Sequence, residues 1–162
     1  MSKLAAEYLL RVWAARTGTP LSVLRLSHVY GPGDTSDKAI PNFLRACLRG
    51  ETPRVSGDGS DTRDWVYVDD VVNAIITSLT RQAVGTWNIA GGTGTSTRQM
   101  LNAVRRLADS AAEPIWQPAT RRATHVVLDI ARAYTDLGWA PRVGLEDGLR
   151  RTVTAFRNAG HD

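Results

Sequence analysis

Cysteine is almost missing from this 162-residue chain, and the single thiol, Cys47, can form neither an internal disulfide nor a cysteine cage for a metal. Ile40, Phe43, Leu44 and Leu48 surround it at helical spacing, so Cys47 is expected to be a small core residue. Lysine is scarce as well, with only Lys3 and Lys38 among the 20 basic residues. The arginines that make up the rest are spread beside acids, as in Glu51 with Arg54 and Asp61 with Arg63. The net charge of +4 is therefore not gathered into the patch that nucleic-acid binding requires, and no nucleic-acid partner is expected. No stretch approaches the roughly 18 consecutive apolar residues that span a bilayer, and the chain opens on an amphipathic pattern instead of a signal peptide. A cytoplasmic protein without a membrane partner is expected. There is no repeat, low-complexity tract or long linker, so residues 1–162 are read as one unit.

What is present alternates between helical and extended patterns. Leu4, Ala5, Tyr8, Leu9, Val12 and Trp13 recur at helical spacing, and Gly18 with Pro20 stops a helix spanning 4–16. A buried strand is predicted over 21–26, followed by a loop from His28 through Gly31-Pro-Gly33. Pro41 suits the first turn of a helix running to Leu48. Strands are predicted at 53–56, 63–68 and 87–90. Asp69 is predicted to cap a helix over 70–79, another helix spans 96–108, an extended piece lies at 115–117, and helices follow at 129–137 and 145–158. This is an α/β chain with a mainly helical C-terminal lobe.

Gly91-Gly-Thr-Gly94, between a strand and a helix, invites a dinucleotide reading because glycines let backbone amides approach a pyrophosphate. Its spacing is not that of the dinucleotide fingerprint, and a plain connection explains it better. The adjacent acids Asp69 and Asp70 fit helix capping and the helix dipole rather than a metal site. Trp65, Tyr67, Trp87, Trp116 and Trp139 fall on strands and turns, where packing is the default. His161 is expected to be a surface group near the chain end.

Four further segments act together. They are Ser2-Lys3-Leu-Ala-Ala-Glu7, Leu24-Arg-Leu-Ser-His-Val-Tyr-Gly-Pro-Gly33, Gly57-Asp-Gly-Ser-Asp-Thr-Arg-Asp-Trp-Val-Tyr-Val-Asp-Asp70 and Leu137-Gly-Trp-Ala-Pro141 with Leu145-Glu-Asp-Gly-Leu149. Their order and spacing resemble the extended short-chain dehydrogenase/reductases, in particular the NAD-dependent sugar-nucleotide epimerases and dehydratases, over nearly the whole chain. The resemblance implies the C-terminal part of a Rossmann-like fold: the lysine helix, the last parallel strands and the substrate-binding lobe, without the cofactor-binding half. It implies NAD or NADP and a nucleotide-sugar substrate in the parent enzyme, no metal, and a homodimer formed through helix 4–16.

By the same resemblance Lys3 matches the active-site lysine, which holds the nicotinamide ribose and lowers the pKa of a tyrosine four residues earlier. That tyrosine is not among these residues, so no independent hydride chemistry and no stably held cofactor are expected. Leu26 and Ser27 match cofactor-lining positions. His28 stands where the family has asparagine and either touches the substrate or packs under the loop. Arg63 matches an arginine that clasps the nucleotide phosphate, or it is paired with Asp61 or Asp64. Asn42 and Arg54 fall in segments that line the nucleotide pocket or stand at the surface. Arg121 or Arg122, with Arg122 preferred, matches a second phosphate-contacting arginine, although the Gly-Asp that usually follows is replaced around His125. The alternative is a noncatalytic nucleotide-sugar-binding or degenerate interaction module.

Overall fold

A computed structural model describes residues 2–159, so position 161 lies outside the described residues. The first helix, α1 (Lys3–Thr17), starts where Ser2 accepts a hydrogen bond from the Ala5 N–H and stops at Gly18, which takes a left-handed φ of 70°. Next, β1 (Ser22–Leu26) pairs in parallel with β5 (Gly85–Ile89). A parallel pair needs a crossover, and α3 (Val68–Thr80) is part of it. A second sheet holds β2 (His28–Tyr30), β4 (Thr62–Tyr67) and β6 (Gly94–Ser96), with β2 parallel and β6 antiparallel to β4. A small parallel pair joins β3 (Arg54–Ser56) to β7 (Ile115–Gln117).

The lobe around that pair is helical, with α2 (Ala39–Leu48), α4 (Thr97–Ala108) and α6 (Leu145–Asn158), whereas α5 (Ala131–Leu137) packs against β5. A capping box starts α4, in which the Ser96 hydroxyl accepts from the Gln99 N–H and the Gln99 side chain accepts from the Ser96 N–H. Apolar faces of α2, α4 and α6 meet in one core that includes Phe43, Leu44, Met100, Leu101 and Leu149. Cys47 is buried there, and burial pushes its thiol pKa up. A second core joins Val66, Trp87 and Ile89 on the strands to Ala74, Leu137 and Trp139. Gly148 sits where α6 crosses Tyr30, and a Cβ there would lie 2.3 Å from the Tyr30 Oη, so the helix approaches only through glycine.

Two sequence-based expectations are corrected. His28–Tyr30 is a strand instead of a loop, because its backbone pairs with Trp65–Tyr67, a neighbour the local turn residues cannot reveal. Asp69 is not a cap: Tyr67 holds the N-cap position without a side-chain bond, and Asp69 stands in the first turn, exposed, 3.9 Å from Arg151. Asp70 is the acid with the structural duty. It is buried, and its two carboxylate oxygens accept the backbone N–H groups of Arg142 and Val143 at 3.0 Å each, while its carbonyl accepts from the Trp139 indole. This ties the Leu137-Gly-Trp-Ala-Pro141 turn to the start of α3, offsetting the cost of burying an acid. Among the described residues, no helix is long and apolar enough to cross a membrane.

Candidate functional site

The carboxyl end of β1 and the whole of β2 border a cavity of about 490 Å³. Leu26, Ser27 and His28 line it, together with Trp65 on β4 and Lys38 at the start of α2. The His28 ring packs against Trp65, with centroids 5.1 Å apart. Burial, followed by the charges of Arg63 and Lys38, holds the imidazole below its ordinary pKa, so His28 is neutral at pH 7. In the same wall, the Ser27 hydroxyl and the Trp65 indole N–H are buried without a hydrogen-bond partner among the described residues. Such orphaned donors are uncommon in a folded interior, and in a cavity wall they suit a polar ligand.

Asp64 borders this cavity but is already committed. Its carboxylate accepts the N–H groups of Gly91 at 2.7 Å, Gly92 at 3.1 Å and Leu128 at 3.1 Å. The glycine amides that invite a pyrophosphate reading are thus filled by the protein's own anion. Gly91 is required for this closeness, since a Cβ there would stand 2.3 Å from the Trp65 carbonyl oxygen.

A second cavity, of about 310 Å³, opens on the other side of the same helix start. Lys38, Ile40 and Pro41 border the first cavity, whereas Ala39, Asn42 and Phe43 border the second. Arg54, Asp61 and Arg121 line the second as well. The Asn42 side chain oxygen accepts from Arg45 at 2.6 Å. Arg122 faces a shallow outer groove with Trp116 and Gln117 instead. Of the two arginines that the sequence left in uncertain register, Arg121 is the one brought beside Asp61.

Arg63 lines neither cavity. One guanidinium nitrogen donates to the carbonyls of Thr62 and Thr124 at 2.9 and 2.8 Å, and the other lies 3.4 Å from Asp61. Arg63 Nη2 reaches Asp61, which borders the second cavity, and the Arg63 charge acts on His28, which borders the first. Segment 121–126 runs alongside β4, where Thr62 exchanges hydrogen bonds with Thr124 and Val126 and the His125 ring meets the Thr62 hydroxyl. Lys3 is exposed in the first turn of α1. One turn later, Glu7 accepts from Arg25 on β1 at 2.9 and 3.0 Å, while Arg11 bonds Thr86 further back, so α1 runs antiparallel to β1 and its amino end lies toward Leu26 and Ser27. Arg25 and Arg11 hold the Glu7 carboxyl below its ordinary range.

Sequence reasoning missed Asp61 as a site residue, and also Trp65 and Lys38 as cavity walls. Asp61 had been visible only as a possible partner of Arg63. Its further contact with Thr124 spans 63 positions and leaves no local trace. Among the described residues there is no group of acids, histidines and cysteine able to hold a metal.

Comparison with known proteins bears on the family and the fold. Residues 1–90 match the NAD dependent epimerase/dehydratase family. A UDP-glucose 4-epimerase of Mycolicibacterium smegmatis is 37% identical, the match covering 96% of this chain and 51% of that protein. A dTDP-L-rhamnose 4-epimerase of Burkholderia thailandensis is 36% identical over 94% of this chain and 44% of that protein. The crystal structure of a UDP-glucose 4-epimerase from Thermotoga maritima with UDP-glucose superposes with a TM-score of 0.89 at 34% identity, covering 97% of this chain and 52% of that one. The α/β arrangement is thus Rossmann-like, and the chain spans about half the length of the curated relatives it matches.

Proposed function

The chain belongs to the NAD-dependent epimerase/dehydratase family, and we propose that it is the substrate-gripping part of a nucleotide-sugar epimerase or dehydratase. The observation that carries this reading is the pair of cavities flanking the start of α2, with Arg63 and Arg121 both on Asp61 at the border of the second. In this reading a sugar enters the first, beside Ser27, His28 and Trp65. The nucleotide enters the second, beside Asn42 and Arg54. The diphosphate that joins them passes Arg63 and Arg121, where a planar guanidinium forks onto phosphate oxygens better than an ammonium does. Arg122 is close enough in sequence to reinforce the positive field from the outer groove.

The orphaned Ser27 hydroxyl beside Leu26 fits the polar edge of a nicotinamide, and Lys3 stands at the adjoining end of α1 to donate toward its ribose. When bound, that group supplies reversible oxidation of a sugar carbon. What these residues do is positional. Ser27 and Trp65 offer donors to the ring carried in the cavity, neutral His28 can donate or accept without adding charge, and Lys3 favours the ionised form of any phenol brought close. No hydride chemistry is assigned to these residues on their own.

Six large apolar residues of α1, among them Leu9 and Trp13, are exposed, and this is the surface on which this reading puts a second copy of the chain. Light scattering tests that arrangement, and a strictly monomeric chain would contradict it. Titration calorimetry with UDP-glucose and dTDP-glucose tests the main reading. Loss of the guanidinium in Arg63→Ala is expected to weaken binding about tenfold or more. Absence of binding by the folded wild-type chain overturns the assignment.

A further inference from the structure

One carboxylate, that of Asp61, touches both arginines of the proposed phosphate path. Its Oδ1 accepts the Thr124 N–H at 2.7 Å and the Thr124 hydroxyl at 3.2 Å, and it also meets Arg121 Nη1 at 3.2 Å and Arg63 Nη2 at 3.4 Å. Oδ2 lies 3.4 Å from Arg121 Nη2. These distances divide the contacts into two kinds. The amide bond is short, whereas the guanidinium contacts lie at or beyond the long end for charge-assisted hydrogen bonds, which ordinarily close to about 2.7–2.9 Å. The Asp61 backbone is meanwhile fixed, because its carbonyl accepts the first N–H of α4, from Thr97, at 2.8 Å. The carboxylate therefore holds segment 121–126 firmly and the arginines loosely.

Resting on the nucleotide-sugar reading, we infer that Asp61 is a positioning residue that serves as a placeholder anion, gathering Arg63 and Arg121 before ligand arrives and ceding both to a diphosphate. The three groups sum to one positive charge with the carboxylate in place and two without it. A ligand must therefore outcompete a carboxylate at two guanidiniums at once. A diphosphate, with a phosphoryl group for each arginine, does this better than a single phosphate. Asp61 retains Thr124 throughout and Arg63 Nη1 keeps the Thr62 and Thr124 carbonyls, so the wall of the second cavity stays in place while Arg63 Nη2 and Arg121 pass to the ligand. The hydrogen bonds from Thr124, followed by the two arginine charges, hold the Asp61 carboxyl below its ordinary range, which keeps the placeholder ionised.

Asp61→Asn separates charge from scaffold, because the amide oxygen still accepts the Thr124 N–H while the negative charge is gone. Calorimetry with inorganic pyrophosphate and orthophosphate on the 162-residue chain is the test. Asp61→Asn is expected to bind pyrophosphate about two- to fivefold more tightly than wild type, the size expected for removing a partly exposed ionic competitor. The preference for pyrophosphate over orthophosphate should narrow in the same variant. A purely structural role would give the opposite sign, a loss of binding. Should Asp61→Asn not fold, carbon-detected NMR of wild type supplies the readout: the Asp61 carboxyl resonance moves on pyrophosphate saturation while the Thr124 amide stays in place. Pyrophosphate binding without a gain in the variant, or with an unmoved Asp61 resonance, overturns the placeholder and leaves the nucleotide reading standing. Failure of both proteins to bind pyrophosphate or UDP-glucose removes that reading and the inference with it.

Discussion

Helices α1 and α4 contrast in how their apolar faces are used. In α4, Met100, Leu101 and Val104 are completely buried between α2 and α6. In α1 no residue is buried, and Leu4, Tyr8 and Leu9 are 69%, 66% and 57% exposed. Apolar residues recur at helical spacing in both sequences. The difference teaches that periodicity announces a face seeking cover, whereas the cover itself belongs to the tertiary arrangement. It also divides the molecule into a lobe whose apolar faces cover one another and a helix whose apolar residues remain exposed.

The strongest way to break that contrast is truncation at matched positions. Leu101→Ala is expected to destabilise the fold by about 3 kcal/mol in urea denaturation, since it removes a fully buried side chain and leaves a cavity. Leu9→Ala, half exposed, should change stability by less than about 0.5 kcal/mol in dilute solution. Equal costs would mean that α1 is as well packed as α4. Next in size is Asp70→Ala, which strands the amides of Arg142 and Val143 and is expected to cost about 2 kcal/mol, with loss of protection at those amides in hydrogen exchange. An unchanged midpoint would show that the turn before α6 holds without the acid.

A charge on the open face sharpens the comparison from the other side. Leu9→Glu is expected to reduce self-association in light scattering while leaving the thermal midpoint of the dilute protein nearly unchanged. The smallest effect concerns His28, at the edge between packed lobe and open cavity. Its folded pKa lies below the ordinary value, so the unfolded chain binds more protons as pH falls past about 6.5. Its contribution is present above that pH and is lost as pH drops through the folded pKa. His28→Asn should flatten this slope slightly below about pH 6.5, and an unaltered profile would place the slope on other groups.

Much of the fold was legible in the chain. The predicted helices 4–16, 96–108 and 145–158 differ from Lys3–Thr17, Thr97–Ala108 and Leu145–Asn158 by at most a residue at each end, because amphipathic spacing and end signals such as Gly18 or the Ser96 cap are local. Pro41 falls in the first turn of α2 as its missing N–H suggests. His28–Tyr30 was illegible because a three-residue strand is defined by its partner, not by its own residues. Asp69 and Asp70 are neighbours of one type with different fates, one exposed and one buried, and only the return of the chain at Arg142 tells them apart.

The sequence by itself determined the order of the helices and most strands and the four ordered motifs, since these depend on side-chain chemistry and on spacing along one stretch of backbone. The tertiary structure alone decided that Arg121 rather than Arg122 shares an acid with Arg63, that Asp64 fills the glycine amides and that α1 leaves its apolar face open. Each of those outcomes is set by groups tens of positions apart competing for the same donor, acceptor or surface. Such competition is resolved only when the chain has closed on itself.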